Sequence, residues 1–327
     1  MLTLIVGQEP CGNPTETDVG SRVNAVAFLM DGQHLLSGGP EGIRMFQVED
    51  GKRITTMKTR GGVVCLAVSN DGRYIAGGTN LGHVVVWDIG TETLKKVIEH
   101  KEDSWNVNAV DFSPNSPRII SASGNKSASI WDTAARQRVL VLPHEDKVFA
   151  ARYSPLGDRI ATATRHSVRV YDASDGRRIF KSNIITLTPC FNTGLLWSNL
   201  NNHEFLVVSD GKITKIYAST ALQVSEWVVP ATNTSSCFSR PKNGEFIVYS
   251  TSRTVIFWDT GPYTQLDCIQ HSQDIQLIAV SSDDLFLAIG KKDGKIVISN
   301  LPPTKNVSST GALLDHGLLN NSIANSC

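Results

Sequence analysis

The sequence predicts an all-β protein built from seven copies of one four-stranded unit. Two residue markers, each recurring about every 42 residues, support this prediction. The first marker is a residue, usually aromatic, that ends a short run of β-type residues and is often followed by aspartate. It occurs at Phe46, Trp87, Trp131, Tyr171, Tyr217, Trp258 and, in degenerate form, Ser299.

The second marker is a bulky residue that closes an apolar run and is usually followed by serine. It occurs at Phe28, Val68, Phe112, Tyr153, Trp197, Phe238 and Val280. In each unit it precedes the first marker by about 19 residues. Because two patterns keep the same register over seven copies, we interpret the chain as one continuous array of repeats.

Each unit contains four short strands, and the third unit shows them most clearly. Its strands are predicted at residues 107–113, 118–123, 128–132 and 136–142. The turn after the first strand contains residues that tolerate turn geometry, such as Asp31-Gly32 and Asp71-Gly72. The inner strands are apolar on both faces, as expected when each unit packs between two neighbours. Four strands per unit of this length predict a seven-bladed β-propeller of four-stranded antiparallel blades.

We expect three regions in the chain. These are an N-terminal segment at residues 1–20, the propeller at 21–301 and a disordered C-terminal tail at 302–327, rich in Asn, Ser and Leu. Pro302 and Pro303 lack the N–H that a sheet ladder needs, so strand continuation there is disfavoured. The apolar run at residues 2–6 is therefore predicted to close the ring as the outer strand of the last blade. The alternative is a strand at residues 304–310.

The units resemble WD repeats, in which tryptophan followed by aspartate ends the third strand. Trp87, Trp131 and Trp258 are each followed by aspartate, and so is Tyr171. In that family a histidine before the first strand, a hydroxyl residue on the second, an acidic residue in the next turn and the tryptophan form a hydrogen-bonded set. The resemblance implies a structural role, in the core of the repeat, for Phe46, Trp87, His100, Ser121, Asn125, Trp131, His144, Tyr171, Trp258, His271 and Asp293.

The composition argues against several classes of function. Lysine plus arginine and aspartate plus glutamate each number 31, so no overall basic field attracts nucleic acid. No apolar stretch approaches the ~20 residues that span a bilayer, and an intracellular protein, cytoplasmic or nuclear, is expected. The six cysteines form no C-x-x-C pair and are expected to be reduced thiols. With no nucleotide, hydrolase or zinc motif, no cofactor, metal or catalytic residue is predicted.

The family resemblance implies a scaffold or adaptor for protein–protein interaction, with no evident small-molecule substrate. Two alternatives stay open. An enzyme with an active site at the mouth of the central channel would gather perturbed ionisable groups there. A nucleic-acid-binding propeller would bind through a local basic face, and its affinity would fall steeply with salt.

The partner surface is predicted on the face formed by the loops before the first strands and the turns between the second and third strands. The residues assigned to it are Arg60, Asn80, Asp103, Trp105, Glu145, Asp146, Arg165 and Lys292. Trp105 is the expected centre, because exposed tryptophan is over-represented among residues that dominate binding energy. In the competing interpretation, Trp105 folds over its own blade as a hydrophobic lid. The exposure of its side chain separates the two.

Overall fold

The computed structural model describes residues 15–301 except for residues 20, 92, 100–104, 136, 184–194, 198–203, 210–211, 218–222, 229–237, 240–245 and 260–264. Within these residues the fold is all-β and consists of seven four-stranded antiparallel sheets arranged as blades in a ring. The predicted seven-bladed propeller is confirmed.

The first strand in the chain, β1 (Thr15–Asp18), belongs to the last blade, and the other strands fill the blades in chain order. Blade 1 contains β2 (Ala25–Phe28), β3 (His34–Gly39), β4 (Gly42–Gln47) and β5 (Arg53–Lys58), and blade 2 contains β6 (Val63–Val68), β7 (Tyr74–Thr79), β8 (His83–Asp88) and β9 (Thr93–Glu99). Blade 3 contains β10 (Val107–Phe112), β11 (Arg118–Ser123), β12 (Ser127–Asp132) and β13 (Gln137–Pro143). Blade 4 contains β14 (Val148–Tyr153), β15 (Arg159–Thr164), β16 (Ser167–Asp172) and β17 (Arg178–Asn183). Blade 5 contains β18 (Leu195–Trp197), β19 (Glu204–Ser209), β20 (Lys212–Tyr217) and β21 (Gln223–Val228). Blade 6 contains β22 (Phe238–Ser239), β23 (Phe246–Ser250), β24 (Thr254–Asp259) and β25 (Gln265–Gln270). Blade 7 contains β26 (Ile275–Val280), β27 (Phe286–Lys291) and β28 (Lys295–Asn300), together with β1.

Burial differs from strand to strand within a blade. The second and third strands, such as β11 and β12, are buried almost throughout, because other blades cover both of their faces. The fourth strand, such as β13, is mostly exposed. The first strands of neighbouring blades contact one another, which places them at the axis of the ring. The chain therefore builds each blade from its axis outwards.

Side-chain amides tie neighbouring blades together near the axis. Asn24 Nδ2 donates to the carbonyl of Val63 at 3.0 Å, from blade 1 to blade 2. Asn108 Nδ2 donates to the carbonyl of Val148 at 2.8 Å, from blade 3 to blade 4. Both residues lie at the inner end of a blade, where a buried amide needs a partner. These bonds fix the rotation of one blade against the next.

A bulge lies beside the first marker in six blades. The pairing between the third and fourth strands shifts register directly before Phe46, Trp87, Trp131, Tyr171, Ile216 and Trp258. A bulge bends its strand and increases the local twist. In five of these blades the shift falls directly before the marker aromatic, and in blade 5 it falls one residue earlier, at Ile216. Each bulge turns the outer strand at an equivalent point of its blade.

The ring is closed by β1, which pairs antiparallel with β28 and places Thr15 opposite Ile298. The N-terminal segment therefore supplies the outer strand of blade 7, but from residues 15–18 and not from the run at residues 2–6. That run and the alternative at 304–310 lie outside the described residues. A polar strand suits this position, because Glu16 lies 3.8 Å from Lys291 Nζ and 3.4 Å from Lys295 Nζ while Thr17 is buried.

The marker aromatics divide into two groups. Phe46, Trp131 and Tyr171 are buried, whereas Trp87 and Trp258 are half-buried and pack at the margin of their clusters. The first three therefore lie in the interior, while the two tryptophans are only partly buried but still pack against the core.

Two cysteines lie among the described residues. Cys65 is a buried free thiol, as predicted, and burial raises its pKa to about 12. Cys268 is disulfide-bonded, which differs from the predicted reduced state. In the part of the chain that the structure describes, no helix is long and apolar enough to cross a membrane.

Candidate functional site

The loops before the first strands and the turns between the second and third strands touch each other and form one face of the ring, here called the loop face. The backbone N–H of Asn80 donates to the carbonyl of Gly62, and Asn80 Oδ1 accepts from the N–H of Gly62, both at 2.9 Å. The N–H of Lys292 likewise donates to the carbonyl of Asp274 at 3.0 Å. In blades 2 and 7 these bonds hold loop and turn together and brace that part of the face.

The predicted surface residues occupy this face in three places. Arg60 and Asn80 are exposed on blade 2, and Lys292 is exposed on blade 7. Four others lie on blades 3 and 4: Trp105, Glu145, Asp146 and Arg165, of which the Glu145–Asp146 loop reaches Trp105 through Lys147. Asp103 lies outside the described residues. The structure therefore concentrates the predicted surface on blades 3 and 4.

Trp105 rests on its own blade but keeps much of its ring in solvent. Its side chain is 44% exposed. The ring packs on the turn of blade 3 at Gly124, where an added Cβ would lie 3.3 Å from Trp105 Cε3. Lys147 Nζ lies 5.0 Å from the ring centre, a cation–π distance. A hydrophobic lid would be largely buried, so this exposure favours the docking interpretation, which stays a proposal.

A buried arginine that was not among the predicted site residues lies in blade 4, the blade whose Lys147 contacts the Trp105 ring. The Arg169 side chain on β16 is 3% exposed, and its Nη1 donates to the carbonyl of Pro143 at 2.9 Å. Its Nη2 forms an ion pair with Glu145, which also lies 3.4 Å from Lys181 Nζ. The sequence feature that could have indicated this site is a charged residue two positions before the marker, in a strand that is otherwise buried on both faces.

His144 directly precedes Glu145 of this ion pair in the chain and is buried. Its Nδ1 donates to the carbonyl of Leu142 at 2.9 Å, so its Nε2 accepts from the Thr162 hydroxyl at 2.8 Å. The Tyr171 hydroxyl lies 3.4 Å from the same Nε2. Burial, and then the charges of Arg169 and Lys181, lower the pKa of His144 to about 4. The imidazole is therefore neutral at neutral pH and bridges the second and third strands of blade 4.

Blade 4 presents more positive than negative charge on the loop face. Its described charged side chains there are Lys147, Arg165, Arg169, Lys181, Glu145 and Asp146. Asp146 faces His166, with 4.0 Å between Oδ2 and Nε2. Four cations against two carboxylates make this part of the surface basic, although the whole chain has no net charge.

Blade 3 contains part of the hydrogen-bonded set that the repeat pattern implied. Trp131 Nε1 donates to Ser121 Oγ at 2.8 Å, while His100 lies outside the described residues. Asn125 Oδ1 accepts from the backbone N–H of Ser127 at 3.0 Å and from its hydroxyl at 2.7 Å. Asn125 therefore stabilises its own turn instead of entering the buried set, which corrects its placement in the repeat core.

Blade 7 shows the same departure from the implied set. Asp293 is exposed, and its Oδ1 accepts from the backbone N–H of Lys295 at 3.1 Å, so it too holds a turn. His271, in the loop before this blade, is half-buried, and burial followed by the charge of Lys291 lowers its pKa. Asp293 is therefore a turn residue and not a core residue.

The innermost strands of blades 3 and 4 contain a buried carboxyl that is used between blades. Asp111 Oδ2 accepts from the backbone N–H of Tyr153 at 2.8 Å, and Arg152 Nη1 donates to the carbonyl of Val110 at 3.0 Å. Burial raises the pKa of Asp111, and the Arg152 charge opposes that rise. Both groups are engaged in blade-to-blade contacts. Among the described residues no group of three His, Cys, Asp or Glu side chains could hold a metal ion.

The seven-bladed fold and the repeated positions are those of a class of protein, the WD-repeat β-propellers, and WD repeats are found in part of this chain. The family model described as "WD domain, G-beta repeat" matches residues 51–88 and 92–132. Each matched segment runs from the fourth strand of one blade through the third strand of the next. The sequence repeat is thus offset from the structural blade by one strand, which links successive blades along the chain.

Several curated proteins are similar to parts of this chain. Periodic tryptophan protein 2 homolog of Dictyostelium discoideum is 24% identical over 252 residues, which are 72% of this chain and 26% of that protein. Cilia- and flagella-associated protein 52 of Mus musculus is 27% identical over 157 residues, 47% of this chain and 25% of that protein. Protein groucho of Drosophila melanogaster is 25% identical over 157 residues, 46% of this chain and 21% of that protein. The matches span between 21% and 26% of the length of these relatives.

A solved structure has the same fold. One chain of a crystal structure of the mitotic checkpoint complex superimposes with a TM-score of 0.76 at 15% identity, covering 92% of this chain and 98% of that chain. At this level of identity the likeness concerns the fold alone.

Proposed function

We propose that this propeller is a non-catalytic platform for protein–protein interaction, a scaffold or adaptor inside the cell, in the cytoplasm or nucleus. Its partner docks on the loop face where blades 3 and 4 meet. The observation that supports this site most directly is Trp105, a tryptophan 44% exposed on a backbone-braced loop. WD-repeat propellers are generally interaction scaffolds, and the three relatives described above share this architecture.

The geometry of Trp105 suits a binding anchor. Its ring is already oriented by the Gly124 turn and by Lys147, so little side-chain freedom is lost when a partner covers the exposed part. The surrounding residues are charged and polar, which is the usual composition of the rim around an aromatic anchor.

The two alternative functions receive less support. Two ionisable side chains of the innermost strands, Asp111 and Arg152, are hydrogen-bonded to the backbone of adjacent blades, which favours a structural role over acid–base chemistry. A basic face that binds nucleic acid non-specifically would need several unpaired cations along a track, and two carboxylates interrupt the cations of blade 4.

The test compares Trp105→Ala with a control on the other face of the ring. Leu156 lies in the first hairpin turn of blade 4 and is 66% exposed, so Leu156→Ala removes a similar exposed apolar side chain away from the loop face. Partners would be captured by cross-linking in cells and quantified by mass spectrometry for the wild type and both variants. In a subsequent affinity measurement, we expect Trp105→Ala to bind the captured partner ~30-fold or more weakly than the wild type does, a change typical of an interface hot spot.

Two outcomes would contradict the assignment. The site is wrong if Trp105→Ala keeps its thermal stability and binds every captured partner like the wild type. It is also wrong if Leu156→Ala produces the greater loss, because the partner would then use the opposite face.

A further inference from the structure

Arg169 presents a buried positive charge that is already fixed in place. Its side chain is 3% exposed, and Nη1 is held by the carbonyl of Pro143 at 2.9 Å. Its Nε has no hydrogen-bond partner among the described residues. An arginine held in this way needs no reordering to receive a carboxylate on its remaining N–H groups.

The Glu145 carboxylate balances this positive charge and could be replaced by another carboxylate. Its side chain is 68% exposed, and its carboxylate is shared between Arg169 and Lys181. The Glu145 carboxylate stays in contact with water, whereas the buried guanidinium needs an anion beside it, so another carboxylate can take the place of Glu145. One exposed anion therefore covers two cations, of which one is buried.

The same loop connects this ion pair to the exposed tryptophan. Glu145 and Lys147 are separated by a single residue, and Lys147 Nζ lies 5.0 Å from the centre of the Trp105 ring. Arg165, in the adjacent turn, is exposed. An acidic segment crossing from blade 4 to blade 3 would thus meet cations first and an aromatic surface next.

We propose that the partner of this surface is an acidic peptide segment whose carboxylate displaces Glu145 from Arg169 and Lys181, while a neighbouring apolar side chain packs on Trp105. This inference rests on the proposed function and specifies the chemistry of the partner. Glu145 then acts as an internal competitor that occupies the carboxylate site until the partner arrives. The planar guanidinium fork matches a carboxylate with two parallel N–H···O bonds.

Blade 1 contains a matched arrangement that serves as a control. Arg44 stands at the same repeat position as Arg169, two residues before the marker, and its side chain is also 3% exposed. Glu41 pairs with it at 2.8 Å and is 67% exposed. Arg44 Nη1 donates to Ser21 Oγ, so the second partner here is a hydroxyl and not a lysine. Glu41→Gln changes the net charge by the same amount as Glu145→Gln at a similar buried arginine on another blade.

The probe is a fluorescein-labelled peptide of alternating glutamate and serine with a central leucine, and its polarisation reports binding. A glutamine-for-glutamate version of the peptide and an oligothymidylate of equal length are the comparison probes. We expect the acidic peptide to bind the wild type and to bind Glu145→Gln roughly two- to fivefold more tightly, because the substitution removes the carboxylate that competes for Arg169 and Lys181. Lys181→Gln is expected to weaken binding by a similar factor, and Glu41→Gln to leave it unchanged.

Four results would overturn the inference. The first is that the glutamine peptide binds as tightly as the acidic peptide, and the second is that Glu41→Gln tightens binding as much as Glu145→Gln does. The third is that Glu145→Gln binds the acidic peptide with the affinity of the wild type. The fourth is that the oligothymidylate binds as tightly as the acidic peptide and responds to Glu145→Gln in the same way. The last result would assign the site to a polyanion such as nucleic acid. Loss of cross-linked partners in Trp105→Ala without any binding of the acidic peptide would leave the proposed function intact and reject only the acidic partner.

Discussion

Trp131→Ala is expected to lower the free energy of unfolding by about 3–5 kcal/mol, the range for truncating a large buried aromatic residue. The indole lies between blades 2 and 3, where it packs in one cluster with Ala76, Val84 and Val86 of blade 2. Its side chain is 6% exposed, and its Nε1 donates to Ser121 Oγ at 2.8 Å. Truncation therefore opens a cavity at a blade contact and removes a buried hydrogen bond.

Two further variants divide this loss into its causes. Trp131→Phe keeps most of the ring volume but removes the indole N–H, and a smaller loss of about 1–2 kcal/mol is expected. Trp105→Ala is the matched tryptophan control, because that ring is 44% exposed, and a loss below about 1 kcal/mol is expected. Urea unfolding followed by far-UV circular dichroism gives all three values. An equal loss in Trp131→Ala and Trp105→Ala would show that the marker position does not stabilise the contact between blades.

The architecture was predictable because each blade must present the same kind of surface to its neighbours. That requirement repeats residue types at fixed intervals, so Trp131 and Tyr171 could be located as interior residues without any structure. The closing strand was harder to place. It pairs with only one strand and faces solvent, so β1 needs no apolar run, and the search for such a run led to residues 2–6.

The candidate site was predictable only in part, because its members come from separate blades. The loop positions of Trp105 and Glu145 follow from the repeat register. The partners of Glu145 do not, since Arg169 and Lys181 lie 24 and 36 residues further along the chain and meet it only through the antiparallel pairing of β16 and β17. Asn125 and Asp293 show the reverse problem: their positions fit the family pattern, but each side chain finds a nearer backbone partner in its own turn.

Acidification from pH 6.5 to about 4 is expected to destabilise the fold through His144, by at most about 3 kcal/mol. The folded-state pKa of His144 is about 4, below the ordinary histidine value of 6.5, because burial and the charges of Arg169 and Lys181 oppose protonation. The unfolded chain therefore takes up the proton first as pH falls. The contribution of His144 to stability is complete above pH 6.5 and is lost as pH falls towards 4. Glu145 is the carboxylate that pairs with both cations.

His144→Gln tests this directly, since the amide can donate to the Leu142 carbonyl and accept from the Thr162 hydroxyl without titrating. We expect the variant to be less stable than the wild type at neutral pH but to lose less stability on acidification, with about one fewer proton taken up on unfolding. His166→Gln is the control in the same blade, because that side chain is 64% exposed and stays in water in both states. Urea unfolding at a series of pH values gives the slopes. If the wild type and His144→Gln lose stability in parallel between pH 6.5 and 4, His144 is not buried in its neutral form, and the cations of Arg169 and Lys181 do not act on it as the structure places them.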